Sequence, residues 1–324
     1  MFSKEQTILR DLGDGLVMRR AAPQDAEALS EFNGRIHGEN EADTRRVAAW
    51  THDLLARPHP TLRPDDFTIV EESATGRIVS SMNLIPQTWT YEGIEFGVGR
   101  PELVGTLPEY RDRGLVRAQF EEVHKWCAER ELPVQIITGI PYYYRLFGYE
   151  MALDLHGGRS GFEAHVPRLK EGVSETFCFR RAVESDIPFI SELYKLAASR
   201  SSIFAVRAEA LWRYELAGRS EDSIANASWE VIERTDTREP VGLLGRSRFP
   251  GSSVLLYELK SGASWLETTP AVVRHLWNIA EMTPAQDGRS HSRFGFFLGL
   301  EHPVYQVMGD DLPEIRKPYA YFMR

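Results

Sequence analysis

The pattern of apolar and polar residues is clearest between residues 104 and 138. Residues 104–106 read as a short β-branched strand that stops at Pro108. A helix from about Gly114 to Arg130 follows, because its apolar positions recur at a 4-3-4 spacing. These positions are Val116, Phe120, Val123 and Cys127. Residues 134–138 predict another strand, and strand–helix–strand implies a right-handed parallel pair.

The same patterns divide the rest of the first half into alternating elements. They predict strands at residues 16–20 and 67–71, and helices at residues 23–32 and 45–55. Residues 77–90 are expected to form a long strand or one arm of a hairpin. The resulting order is strand-helix-helix-strand-strand-strand-helix-strand, which belongs to the mixed α/β class.

Two matches at one offset indicate an internal duplication. Arg19-Arg20-Ala21 with Asp25 recurs as Arg180-Arg181-Ala182 with Asp186, an offset of 161 residues. Tyr144-x-x-x-Gly148 recurs as Tyr305-x-x-x-Gly309 at the same offset of 161. We therefore expect two domains of one fold, covering residues 1–160 and 161–324. The boundary lies near residues 157–161 or in the polar segment 167–175.

The second copy predicts its own set of elements. Strands are expected at residues 177–181, 229–233, 241–249, 253–259 and 294–298, and helices at 185–196 and 269–281. Pro270 matches Pro108 with a shift of one residue, but a run of β-branched residues follows it, and such a turn cannot approach a phosphate closely. We expect this domain to be degenerate, with a structural or pocket-building role.

The basic turn before residue 114 is the strongest chemical signal. The first amides of a helix lack intrahelical partners and face the positive end of its dipole, an arrangement that binds pyrophosphate. Arg111, Arg113 and Arg117 surround these amides, and Arg113 and Arg117 share one helix face.

This stretch resembles motif A of the GNAT acetyltransferases, whose turn wraps the pyrophosphate of acetyl-CoA. Arg111-x-x-Gly114-x-Val116 fits that pattern except at Val116, where the family has a small residue. The resemblance implies that acetyl-CoA is the co-substrate and that its pantetheine arm lies between two splayed strands. The implied cofactor-binding residues are Val104, Gly105, Thr106, Arg111, Asp112, Arg113, Gly114, Leu115, Val116, Arg117, Gly139 and Ile140.

A second segment resembles the same family. Tyr144 alone in the cluster 142–149 has glycine four residues later followed by an aromatic residue. In the family this tyrosine faces the acetyl-CoA sulfur, so the resemblance implies that Tyr144 is catalytic and hydrogen-bonds the leaving thiolate. An outward amide near residues 104–106 is expected to bind the thioester oxygen.

The two-domain layout resembles the first two regions of Eis-type (enhanced intracellular survival) proteins and other tandem-GNAT enzymes. The third, sterol-carrier-like region of Eis-type proteins has no room in 324 residues. In that group the chain's own terminal carboxylate reaches the active site, which implies a catalytic role for Arg324. Glu95, Glu102, His37, Glu39 and a water chain remain alternatives for the general base.

Composition limits the partners. The net charge of −9 and the pI of about 5.6 argue against nucleic acid and anionic membranes as partners. The first six residues lack a signal-peptide core, and no long apolar run is present, so we expect a cytoplasmic protein. Cys127 and Cys178 are expected to be reduced thiols. His275, His291 and His302 have no ligand spacing, so no metal site is expected.

The sequence thus predicts an N-acetyltransferase that moves an acetyl group directly from acetyl-CoA to a primary amine of a small molecule. A polyamine, an aminoglycoside-like compound and an amino-sugar conjugate are candidate acceptors. A mycothiol-synthase-like tandem GNAT enzyme is the alternative within the enzyme class. From another class, the chain would be an acyl-CoA sensor without turnover. Whether it forms a homo-oligomer stays open.

Overall fold

A computed structural model of the protein describes residues 8–140, 142–249, 251–282, 293–299 and 301–324. The first six residues and His291, used in the sequence analysis, lie outside these ranges. The strands are β1 (Ile8–Gly13), β2 (Leu16–Arg20), β3 (Phe67–Glu72), β4 (Ile78–Tyr91), β5 (Ile94–Thr106), β6 (Val134–Ile137), β7 (Glu150–Leu155), β8 (Gly158–Phe162), β9 (Phe177–Arg181), β10 (Ile203–Ala205), β11 (Ala227–Arg234), β12 (Pro240–Ser247), β13 (Ser253–Leu259), β14 (Arg293–Phe296), β15 (Glu314–Arg316) and β16 (Tyr319–Met323). The helices are α1 (Ala26–His37), α2 (Glu41–Ala56), α3 (Leu115–Glu129), α4 (Ile187–Ala198), α5 (Glu209–Arg213), α6 (Trp265–Met282) and α7 (Pro303–Met308).

The chain divides into two compact units. The first contains residues 1–153, 202–225 and 321–324, and the second contains residues 154–201 and 226–320. The sequence placed a single boundary after residue 160, whereas two short segments of the second half belong to the first unit.

Among the described helices, none is both long and apolar enough to cross a membrane.

Within the described residues, nine strands form the sheet of the first unit, in the order β1-β2-β3-β4-β5-β6-β16-β7, with β10 paired to β4. The pair β5 and β6 is parallel, as the intervening helix α3 requires. Leu29 of α1 joins one core cluster with Val79, whereas Val123 of α3 joins another with Met82. Because neighbouring positions of β4 face opposite sides, α1 and α3 cover opposite faces of the sheet.

The second unit repeats this plan with a smaller sheet. Seven described strands follow the order β15-β8-β14-β13-β12-β11-β9, and β13 and β14 form the parallel pair around α6. The expected turn at Pro270 is wrong, because α6 begins at Trp265 and contains Pro270. The helix predicted at residues 269–281 is confirmed but begins four residues earlier, because a proline near the start of a helix removes one backbone hydrogen bond without ending the helix.

The repeated Arg-Arg-Ala motif forms the same ion cluster in both units. In the first, Arg19 makes two hydrogen bonds to Asp25, of 2.8 and 2.9 Å, and a third of 2.8 Å to Glu71. Burial lowers the pKa of Arg19, but hydrogen bonds to both carboxylates outweigh it, so the net shift is upward. In the second, Arg180 contacts Asp186 and Glu233 in the same way.

We expect Asp25→Asn to destabilise the first unit more than Asp186→Asn destabilises the second. The side chain of Arg19 is only 4% exposed, so losing one of its two carboxylate partners leaves a buried charge with Glu71 alone and costs about 3 kcal/mol. The side chain of Arg180 is 36% exposed, and water compensates part of its loss. Urea titrations followed by circular dichroism measure both changes. Equal losses in the two variants would contradict this reasoning.

Candidate active site

The strand β5 leaves its parallel partner after a short contact. In the described residues, β5 and β6 pair at Val98 with Val134 and at Gly99 with Gln135. Beyond Gly99, β5 continues to Thr106 and β6 to Ile137 without further pairs between them. The two strands therefore part in the direction of α3, which is the splayed arrangement that the sequence predicted.

A β-bulge lies in the splayed part of β5. Glu102 pairs with Asn83 and Gly105 pairs with Ser81, so two residues of β5 face one residue of β4. Leu103 in the bulge has a φ of +53°, in the left-handed region that β-strands normally avoid. Such a bulge turns backbone groups out of the ladder and is common beside active sites. Here it lies next to Val104, Gly105 and Thr106, the strand residues expected to bind the cofactor.

The turn after β5 presents a row of unpaired amides. Asp112 and Gly114 have φ values of +60° and +74°, and Gly114 caps α3 without a side-chain hydrogen bond. Ala118 donates the first helical hydrogen bond, 3.0 Å long, to the carbonyl of Gly114. Among the described residues, the amides of residues 112–117 donate to no protein acceptor. Residues 111–114 are exposed, so these amides face solvent at the positive end of the helix.

Three arginines border this turn, as their spacing predicted. Arg113 pairs with Asp14 at 3.2 Å and lies 5.6 Å from the ring centre of Tyr110. Arg117 lies 5.2 Å from the ring centre of Phe147. Arg111 is exposed beside them. The side chain of Asp14 is 87% exposed, so an anion in the turn competes with it easily for Arg113.

Tyr144 lies in the short 3₁₀ turn Tyr143–Phe147, against the loop that follows β6. Its side chain is 6% exposed, and its hydroxyl lies 3.1 Å from the position that a Cβ at Gly139 would occupy. Gly139 has a φ of +135°, so it provides both the conformation and the space that this contact needs. The neighbouring Ile140 is 64% exposed.

His37 and Glu102 are brought together at the bulge. His37 Nε2 lies 3.3 Å from the Cβ position of Gly105 and has no hydrogen-bond partner in the described residues. Burial lowers the pKa of His37, partly offset by the charge of Glu102 and a backbone hydrogen bond with Leu103. Glu102 itself forms an ion pair of 2.6 Å with Arg100.

The other base candidates lie elsewhere. Glu95 is exposed near the tip of the β4–β5 hairpin, and Glu39 is exposed after α1. The backbone of Arg324 exchanges two hydrogen bonds of 2.9 Å with Gln135, near the start of β6, whereas Gly139 follows its end. The register thus separates the main chain of Arg324 from Gly139, and a catalytic role for its carboxylate stays a prediction.

Three buried polar residues beside His37 escaped the sequence analysis. Asn33 lies one helical turn before His37, and Ser81 and Asn83 pair with Gly105 and Glu102 across the bulge. All three are completely buried, and their side-chain polar atoms have no hydrogen-bond partner among the described residues. Each such atom costs about 1–3 kcal/mol, so unpaired groups of this kind need an explanation. No local sequence pattern marks them, because the sheet alone assembles them.

In the second unit, the helix start and the tyrosine that correspond to the turn and to Tyr144 are hydrogen-bonded to other parts of the same unit. Ser264 caps α6 by accepting a 3.3 Å hydrogen bond from the amide of Glu267. The hydroxyl of Tyr305 donates to the carbonyl of Phe296 at 2.8 Å and accepts from the amide of Leu298 at 3.2 Å. Both features are therefore occupied within the fold. In the described residues of either unit, no three His, Cys, Asp or Glu side chains are arranged to hold a metal ion.

The chain was compared with solved structures. A conserved protein of unknown function from Enterococcus faecalis V583, a probable N-acyltransferase, shares 13% identity with a TM-score of 0.67, covering 95% of this chain and 72% of that one. A GCN5-related N-acetyltransferase from Kribbella flavida shares 17% identity with a TM-score of 0.61, and the match covers 95% of this chain and 71% of that one. Saccharomyces cerevisiae N-myristoyltransferase with bound myristoyl-CoA shares 12% identity with a TM-score of 0.64, and the match covers 99% of this chain and 80% of that one.

At these identities the likeness shows the fold, and it confirms the mixed α/β class with two GNAT-like domains. The resemblance to Eis-type proteins stays a prediction. No curated protein matches the chain. The family model of the acetyltransferase (GNAT) domain matches residues 18–152, which hold the bulge, the turn and Tyr144. Residues 18–152 therefore form a GNAT acetyltransferase domain, and the protein is an acyltransferase enzyme.

Proposed function

We propose that the first unit transfers an acetyl group from acetyl-CoA directly to a primary amine of a small molecule. The observation that carries this proposal is the row of unpaired amides at residues 112–117, which begins in the exposed residues 112–114. Backbone amides at a helix start bind phosphate groups, and Arg111, Arg113 and Arg117 add the charge that a pyrophosphate needs. A helix start alone leaves about four amides without intrahelical partners, and the turn before α3 adds further unpaired amides next to them.

The strands indicate where the pantetheine arm and the thioester of acetyl-CoA would bind. A pantetheine arm that starts at the turn enters the opening between β5 and β6, where each strand has free backbone groups. The bulge at Leu103 supports an amide directed at the thioester oxygen, whose negative charge grows during attack. Tyr144 would donate a hydrogen bond to the leaving thiolate. Because a phenol is a weaker acid than a thiol, hydrogen bonding rather than full proton transfer is the expected contribution.

The acceptor amine approaches from the α1 side in this proposal. His37 and Glu102 lie on that side of the bulge, together with the unpaired Asn33, Ser81 and Asn83. An amine must lose a proton before it attacks, since an ammonium has no lone pair. With its pKa lowered below 6.5, His37 is neutral at pH 7 and able to accept that proton.

Release of free thiol from acetyl-CoA tests the function. The purified protein is incubated with acetyl-CoA alone and with a panel of polyamines, aminoglycosides and amino sugars. The proposal expects release that depends on one class of amine. If acetyl-CoA binds tightly and no amine promotes release, the chain is an acyl-CoA sensor instead.

Arg113→Glu is expected to weaken CoA binding by about 10- to 100-fold, because a charge-assisted hydrogen bond is replaced by repulsion. Isothermal titration calorimetry with CoA measures the change. Lys125→Glu is the matched control, since it reverses a charge on the exposed side of the same helix. If both variants bind CoA like the parent protein, the phosphate assignment of the turn fails.

Tyr144→Phe is expected to lower kcat on the order of 100-fold while leaving CoA affinity nearly intact. The reason is that the variant keeps the buried ring and loses only the hydroxyl near Gly139. Steady-state kinetics together with CoA titration separate the two quantities. Tyr143→Phe removes a neighbouring hydroxyl and should retain full turnover. Unchanged kcat in Tyr144→Phe would remove this residue from the mechanism.

The pH profile of kcat tests His37. A base with a lowered pKa works only when deprotonated, so kcat should rise as the pH increases through a value below 6.5 and then level off. In His37→Gln, kcat should be lower and the acidic limb should disappear. An acidic limb that persists unchanged in this variant would assign the titration to another group, with Glu102 the nearest.

A further inference from the structure

The opening between β5 and β6 has a closed end. The strands part toward Thr106 and meet at Val98 and Gly99. A donor anchored by its pyrophosphate at residues 112–117 enters from the wide end. Its acyl group is the part farthest from the pyrophosphate, so a longer acyl chain has to extend toward the point where the strands meet.

Side chains from α3 and β4 fill this closed end. A Cβ at Gly99 would lie 2.5 Å from Cys127 Sγ and 3.0 Å from Leu84 Cδ1. Both side chains are almost completely buried, at 1% and 0% exposure. Contacts below 3.0 Å are not tolerated by real side chains, so this corner has no room for one additional methyl group. Burial also raises the pKa of Cys127 to about 12, so the thiol acts as an apolar filler here.

The strand β16 pairs with the other edge of β6. Phe322 pairs with Ile137 in the register of the two strands and is 1% exposed. Its ring centre lies 5.9 Å from that of Tyr144, in an edge-to-face contact. Tyr149 completes the wall, because its hydroxyl donates a 2.7 Å hydrogen bond to Gln135 beside the meeting point. Phe322 therefore packs against the ring of the tyrosine assigned to the thioester sulfur.

We propose that Phe322, with Leu84 and Cys127 packed at Gly99, limits the donor to short-chain acyl-CoA. This inference rests on the proposed function and adds the residue that sets its donor specificity. The yeast N-myristoyltransferase structure holds myristoyl-CoA, so the fold itself does not fix chain length. The filling of this end of the opening fixes it here, and Phe322 contributes the largest of the three limiting side chains.

The test compares acetyl-, butyryl- and octanoyl-CoA as donors, with the amine found in the thiol-release screen as acceptor. For the parent protein, kcat/KM with octanoyl-CoA should be about 100-fold or more below that with acetyl-CoA. Phe322→Leu and Phe322→Ala remove part or most of the ring. The octanoyl-to-acetyl ratio of kcat/KM should rise by about tenfold or more in the alanine variant, and less in the leucine variant.

Phe67→Leu is the matched control. Phe67 is equally buried, but it belongs to the core cluster on the α1 side of the sheet. This change should lower stability without altering the ratio, which separates a specificity role from general loosening. The proposal is overturned if the parent protein uses octanoyl-CoA as well as acetyl-CoA, or if neither Phe322 variant changes the ratio while it still binds CoA. Failure of CoA and every acyl-CoA to bind the parent protein would instead refute the proposed function.

Discussion

The parallel strands β5 and β6 are hydrogen-bonded to each other at one end only. They pair at Val98 and Gly99, and in the described part of the chain the backbone of β5 beyond these residues has no partner on β6. Beyond this pair, β5 has unpaired backbone groups on the β6 side, carries the bulge at Leu103 and leads into the turn before α3. Backbone groups left unpaired in this way are costly unless a ligand or water pairs with them. The unpaired groups of β5 and of the turn are therefore available to a ligand or to water.

The two units show what this arrangement needs beyond the fold. Both contain the ion cluster that ties the second strand of the unit to the first helix, with Arg19 in one and Arg180 in the other. Both contain a parallel pair around a helix. However, α3 starts at Gly114, which has no side chain to cap it, whereas the Ser264 hydroxyl accepts a hydrogen bond from an amide in the first turn of α6. The packing is thus duplicated, while the unpaired amides at the helix start occur in the first unit only, among the described residues.

Much of the fold was predictable because its signals are local. The apolar spacing of α3, the basic turn and the offset of 161 residues all lie within short windows of sequence. Contacts between distant segments were not predictable in this way. Nothing in the sequence near residues 202–225 shows that β10 pairs with β4, and nothing near His37 shows that it meets Gly105. The start of α6 was predicted four residues late, because Pro270 in its second turn resembles a proline in the first turn of a helix.

The strand β16 shows that short sequence motifs can predict the turn before α3 but not every residue of the site. Its residues are the last in the chain, yet Phe322 pairs with Ile137 and packs on Tyr144 in the first unit. The side chain next to the proposed thioester position is therefore supplied from almost 180 residues away. Such a contact is costly in chain entropy, because long loops must close before it forms. In the proposed donor site, the residue that limits the acyl chain is thus brought in by the sheet and not by the turn that would hold the pyrophosphate.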